Sequence, residues 1–198
     1  MRATLVLCLS ILITACGPSL APAATTITPG VAQGPASGPR IEPPPVTPPT
    51  PPGTNLPAFA CADTSGGKTG VAGLVTARVG TQSGYERFVL QFDSAVPSYT
   101  AKRQASPIFP VGATGQPITL SGSAGVMVRV HSATGANTFS GSIDIVHSDY
   151  QVLKEARQTE DFEGYVGWAL GLSKLACMRV FTLTDPARLV VDFSTATS

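Results

Sequence analysis

The chain has 198 residues, 13 basic and 12 acidic side chains, and a formal charge of +1. That balance excludes a nucleic-acid binder, which needs a dense basic footprint. Charged residues make up 13% of the chain and Gly and Pro number 20 and 18, a composition suited to strands, turns and linkers and poorly suited to long helices. Two His and four Cys leave few residues for a metal site or a nucleophile–base pair.

Met1-Arg2 precedes an uncharged, apolar run from Ala3 to Ala15. One basic residue followed by such a run reads as a secretory signal. The run is shorter than the roughly 20 residues that a membrane-spanning helix needs. It ends in Ile13-Thr14-Ala15-Cys16-Gly17, which resembles a bacterial lipobox, with small residues before the cysteine that receives lipid. Residues 1–15 are therefore expected to be a signal peptide. Cys16 is the expected lipidation site, carrying a diacylglyceryl group and palmitate. The alternative is an ordinary signal peptide cleaved nearby, with Cys16 incidental. Lipidation predicts anchoring on the extracytoplasmic face of a bacterial membrane.

Residues 16–58 form the expected tether. The stretch from Gly17 to Pro57 holds 13 of the 18 prolines and two charged side chains, Arg40 and Glu42. Proline fixes φ and removes backbone donors, so this stretch cannot build a helix or a sheet. A disordered, polyproline-biased spacer is expected. A PxxP ligand for a partner is the less favoured reading outside the cell.

Residues 59–198 read as one domain, large enough to bury a core without a metal. Val71 to Val79 reads as a strand. Arg87 to Phe92 places Phe88, Leu90 and Phe92 on one face. Pro117 to Leu120 is a short strand, and Val126 to Val130 turns Val126, Val128 and Val130 inward. Tyr150 to Asp161 fits either one short helix or a strand over Gln151 to Arg157 with Glu160-Asp161 in the next turn; its poor helical apolar spacing favours the strand. Phe162 to Leu172 reads as one strand with Phe162, Val166 and Trp168 on the apolar face and Glu163, Tyr165 and Gly167 on the other. Arg179 to Leu183 and Arg188 to Phe193 form a hairpin, with Asp185-Pro186 suited to a type I turn. Short strands separated by Gly-rich turns predict an all-β chain, a β-sandwich of short antiparallel strands.

Cys61 and Cys177 are the two thiols left in an exported chain once Cys16 is acylated, and are expected to form a disulfide. Two unrelated buried thiols are the alternative. His131 and His147 stand alone, no metal motif is present, and no cofactor is implied.

The block Glu160-Asp161-Phe162-Glu163-Gly164-Tyr165-Val166-Gly167-Trp168-Ala169-Leu170-Gly171-Leu172, then Met178-Arg179-Val180-Phe181 and Asp185-Pro186-Ala187-Arg188-Leu189-Val190-Val191-Asp192-Phe193, resembles the AMIN-like domain of bacterial lipoproteins. Gly84 to Asp93 is similar to that family's early strand. The last block is shared with AMIN domains, which target cell-wall amidases and secretins to the envelope. The resemblance implies a β-sandwich and an envelope role. An amidase also carries a catalytic domain, and none is expected here after Phe193.

Catalysis is not expected. A zinc amidase needs clustered His and Glu, a Cys nucleophile is spent if the cysteines pair, and no GxSxG elbow occurs. A non-catalytic module binding cell-wall glycan or peptidoglycan is expected, with a structural or protein-interaction domain of an envelope complex as the alternative. Sugar recognition uses aromatic faces with polar groups nearby. The candidates are Tyr85, Tyr99, Tyr150, Tyr165 and Trp168. Trp168 is assigned to the core. Tyr165, with Glu163 beside it, is the expected ligand contact, its ring left open by small neighbours.

Overall fold

The structure is a computed structural model that describes residues 55–112 and 114–196. The expected signal peptide, Cys16 and all but the last residues of the Pro-rich stretch lie outside the described residues. Thirteen strands and no helix are found among the described residues. They are β1 (Thr64–Gly66), β2 (Ala72–Gln82), β3 (Tyr85–Phe92), β4 (Tyr99–Gln104), β5 (Ile108–Val111), β6 (Gln116–Thr119), β7 (Ala124–His131), β8 (Ala133–Thr134), β9 (Asp144–Val146), β10 (Leu153–Phe162), β11 (Tyr165–Leu172), β12 (Met178–Leu183) and β13 (Arg188–Ser194).

One sheet runs β1-β4-β7-β11-β10-β9 and the other β12-β13-β3-β2-β8. All pairings are antiparallel except the short parallel contact between β2 and β8. Alternation explains the sandwich. Phe88, Leu90 and Phe92 of β3 and Leu189, Val191 and Phe193 of β13 line one inner face. Val126, Val128 and Val130 of β7 and Val166, Trp168, Leu170 and Leu172 of β11 line the other. Their side chains form one core, in which Trp168 packs against Phe88 from the opposite sheet at 5.5 Å between ring centroids. Fully burying a large apolar side chain contributes about 1.5–3 kcal/mol.

Two polar devices fasten the layers. Glu86 continues the alternation of β3 inward and is 2% exposed. Its carboxylate accepts hydrogen bonds from the backbone N–H groups of Gln151 (2.6 Å), Val152 (2.9 Å) and Leu153 (2.6 Å) at the start of β10. At the edge, the Cys61–Cys177 disulfide is present and spans 116 residues. Ala60 and Met178 exchange backbone hydrogen bonds beside it. Arg103 of β4 donates from Nη1 to the Cys61 carbonyl at 2.6 Å and from Nε to the Ala176 carbonyl at 3.2 Å.

A small second core lies on the outer face of the six-stranded sheet. The β5–β6 hairpin folds over it, burying Phe109 against Leu120 and Ala169, with Ile118 and Met127 alongside. Glycine is required beneath it: a Cβ at Gly125 would stand 2.4 Å from the Phe109 ring, and one at Gly171 would stand 2.4 Å from the Ser121 carbonyl oxygen.

Several local expectations need correction. The 150–161 segment is a strand, but it runs Leu153–Phe162, so Glu160 and Asp161 are strand residues and not a turn. The block after it is not one strand from Phe162. Glu163 (φ 50°) and Gly164 (φ 78°) form a two-residue turn between β10 and β11, whose two positive φ values match the twist of a β-hairpin. Phe162 therefore faces Tyr165 across the hairpin and is 56% exposed, off the core face. Register shifts between Leu153 and Glu155 and between Gln158 and Glu160 break the simple alternation. The hairpin of β12 and β13 is present, joined by Thr184 to Ala187. Asp185 sits at φ 53° before a cis bond to Pro186, a left-handed conformation that Asp enters more readily than most residues.

Candidate functional site

The expected contact residues Tyr165 and Glu163 come together, by a route other than a shared strand face. Tyr165 opens β11, and Glu163 stands in the preceding turn. With Arg129, Glu160 and Phe162 they line a shallow cavity of about 180 Å³ on the outer face of the six-stranded sheet. Tyr165 is 38% exposed. One side of its ring is met by His131 at 4.7 Å between centroids, and the Arg129 guanidinium carbon lies 5.6 Å from its centre. Arg129 is held in turn by Glu160, with Nη2 donating to Oε2 at 2.8 Å and Nε to the same oxygen at 3.1 Å.

The small residues along β11 do not serve to open this ring. Gly167 leaves room for Thr159 and Glu160, whose atoms a Cβ would meet at 2.7 and 3.1 Å. Ala169 and Gly171 form the floor for the β5–β6 hairpin. The aromatic pair Phe162 and Tyr165 stays accessible because both lie just beyond the tip of that hairpin, which reaches as far as Thr159.

The other aromatic candidates separate by burial. Trp168 is fully buried and Tyr99 nearly so. Tyr150 stacks on His147 at 4.2 Å. Tyr85 lies on the outer face of the five-stranded sheet, in a cluster that the sequence reading did not find. There Asp192 is fully buried between two arginines. Its Oδ1 accepts from Arg87 Nε at 2.6 Å, and its Oδ2 accepts from Arg87 Nη2 at 2.9 Å and Arg179 Nε at 2.7 Å. Asp192 thereby pushes the Arg87 pKa further up, chiefly through the hydrogen bond and against the cost of burial. The Arg179 guanidinium carbon lies 4.4 Å from the Tyr85 ring centre and 4.5 Å from that of Phe59. Strand register makes this cluster: Arg87 pairs with Asp192, and Asp192 with Arg179.

Among the described residues, no group of three or more His, Cys, Asp and Glu side chains is placed to hold a metal ion. His131 and His147 lie on the surface, 16 positions apart in the chain. The arrangement offers aromatic faces and fixed guanidiniums, which is the equipment of a binding surface.

A search of curated proteins found no match. A model of the AMIN-like domain matches residues 72–195, from the start of β2 to just past β13. That span takes in both sheets apart from β1, both surface clusters apart from Phe59, and more than half of the chain, and the protein belongs to the AMIN-like domain family of the bacterial cell envelope.

Proposed function

We propose that this chain is a non-catalytic, lipid-anchored module that binds cell-wall glycan or peptidoglycan from the outer side of a bacterial membrane. The observation that carries the reading is the Tyr165 cavity. An accessible aromatic pair, Phe162 and Tyr165, stands beside Arg129, Glu160 and Glu163. Such a surface stacks on the C–H face of a sugar ring while charged groups reach its hydroxyls. Membership in an envelope family supports the same reading. Cys16 supplies the anchor, and the Pro-rich stretch after it gives the domain reach. Co-sedimentation of the purified chain with isolated sacculi tests the binding; a chain that stays in the supernatant at low salt rejects it. Labelled palmitate should enter the wild type and not Cys16→Ala, and label persisting in the variant rejects the anchor.

A second reading, a protein-interaction domain, draws on one edge. β9 ends the six-stranded sheet, with no further strand beside it among the described residues, and Ile143 and Val146 are exposed there. A partner strand could pair along such an edge. Crosslinking from Val146 to another envelope protein, without sacculus binding, favours this reading.

A further inference from the structure

The two outer faces of the sandwich differ in charge. On the six-stranded sheet, Arg129 is matched by Glu160, and Arg157 by Asp144 and Glu155. On the five-stranded sheet the register brings one arginine outward from each of four consecutive strands: Arg179 of β12, Arg188 of β13, Arg87 of β3 and Arg78 of β2. The outward carboxylate among them is Asp192, which is fully buried and already bonded to Arg87 and Arg179. Arg78 donates to the neutral Gln91 at 2.7 Å and Arg188 to the Pro186 carbonyl at 3.2 Å. Among the described residues, the Nη1 and Nη2 atoms of Arg179 and the Nη1 of Arg87 have no acceptor.

A chain whose overall charge is near neutral thus sets four guanidiniums against one carboxylate on this face, with Arg87 and Arg179 largely buried beside Asp192 and Arg78 and Arg188 the more open pair. With adjacent strands about 4.8 Å apart, the four arginines spread over roughly 14 Å across the strands, and they are staggered along them: Arg179 and Arg87 lie level at Asp192, while Arg188 lies level with Gln91, about 13 Å further on. Such a patch suits several charges of one polymer better than one small anion. The face is also aromatic. Phe181 and Tyr85 flank the patch, with the Arg87 guanidinium carbon 5.5 and 5.2 Å from their ring centres. Stacking on the rings fixes the guanidiniums, so less side-chain entropy is lost when an anion engages them. Planar forks match carboxylate and phosphate oxygens, and the open part of the half-buried Phe181 ring matches sugar C–H groups.

We propose that the outer face of the β12–β13–β3–β2 sheet binds an anionic polysaccharide, with its acidic groups on the arginine patch and its sugar rings on Phe181. The proposal stands apart from the Tyr165 cavity, which lies on the other sheet. The test uses the full chain in detergent, with polygalacturonate as the anionic sugar polymer, dextran as a neutral one and inorganic polyphosphate as an anion without sugar. Polygalacturonate binds and dextran does not, and raising the salt to 0.5 M weakens binding because partly exposed charges are screened. Arg87 and Arg179 are poor test positions, since losing either strands a buried carboxylate. The double variant R78Q/R188Q leaves that cluster intact and weakens polygalacturonate binding about tenfold or more. Phe181→Ala weakens polygalacturonate more than polyphosphate, which loses only the fixing of Arg87. Tyr165→Ala changes neither, so a failure at the Tyr165 cavity is separable from a failure here. Equal affinity of R78Q/R188Q and wild type for polygalacturonate overturns the proposal, as does binding of polyphosphate without binding of polygalacturonate.

Discussion

Replacing Glu86 with alanine should damage the fold more than replacing any exposed acidic residue. Glu86 reaches from β3 across the edge of the sandwich and accepts three backbone hydrogen bonds from the start of β10. Of the three donors, those of Val152 and Leu153 belong to buried residues, while Gln151 is exposed and can turn to water. A buried donor left without a partner costs about 1–3 kcal/mol, so two of them give about 2–6 kcal/mol. That is a large part of the 5–15 kcal/mol that holds a typical domain together. Glu86→Gln keeps one acceptor oxygen but turns an amide N–H₂ toward the backbone donors, and should cost about half as much. At about 3–4 °C per kcal/mol for a domain of this size, the alanine variant should melt roughly 10 °C below wild type. Thermal unfolding followed by circular dichroism, with Lys174→Ala as an exposed control, measures this. An alanine variant that melts with the control would show that the Glu86 carboxylate does not fasten the two sheets.

Gly125→Ala should push the Phe109 ring off the second core and cost about 1–3 kcal/mol, with faster amide exchange in β5 and β6 as the local sign. Reducing the Cys61–Cys177 disulfide removes a link across 116 residues; the chain-entropy argument gives up to about 4–5 kcal/mol, read as a lower urea midpoint in reductant. Burial pushes the Tyr99 phenol above its usual pKa, so the folded state favours the neutral form. The stability this gives is complete below about pH 10 and is lost as the pH rises through the folded-state value. Tyr99→Phe should therefore flatten the alkaline fall in melting temperature, and an unchanged alkaline profile would contradict that.

Period-two alternation carried much of the fold. It placed Phe88, Leu90 and Phe92, Val126 to Val130, and Leu189 to Phe193 on inner faces, and it kept Trp168 in the core. It misplaced Phe162, because the two-residue turn at Glu163-Gly164 and the irregularity between Gln158 and Glu160 reset the faces. Strands β1, β4, β5, β8 and β9 carry weak patterns and exist through their partners. Glu86 was legible in principle, since extending the β3 alternation backward by one step puts a carboxylate inside. The Arg87–Asp192–Arg179 cluster was not. Its members lie 13 and 105 residues apart in the chain and meet only through the pairing of β3, β13 and β12, which no local pattern encodes. The accessibility of Tyr165 was anticipated, but for a different reason. Its glycine neighbours serve Thr159, Glu160 and the β5–β6 hairpin, and the ring is open because it lies beyond that hairpin.

The claim that this domain reads cell-wall glycan through the Tyr165 cavity is tested most directly by quantitative co-sedimentation with purified sacculi, comparing wild type with Tyr165→Ala. Wild type should pellet with the sacculi at low salt. The variant should remain largely in the supernatant with its melting temperature within about 2 °C of wild type, as expected for truncating a half-exposed side chain. Equal pelleting of the two proteins, or a wild type that does not pellet, would contradict the account.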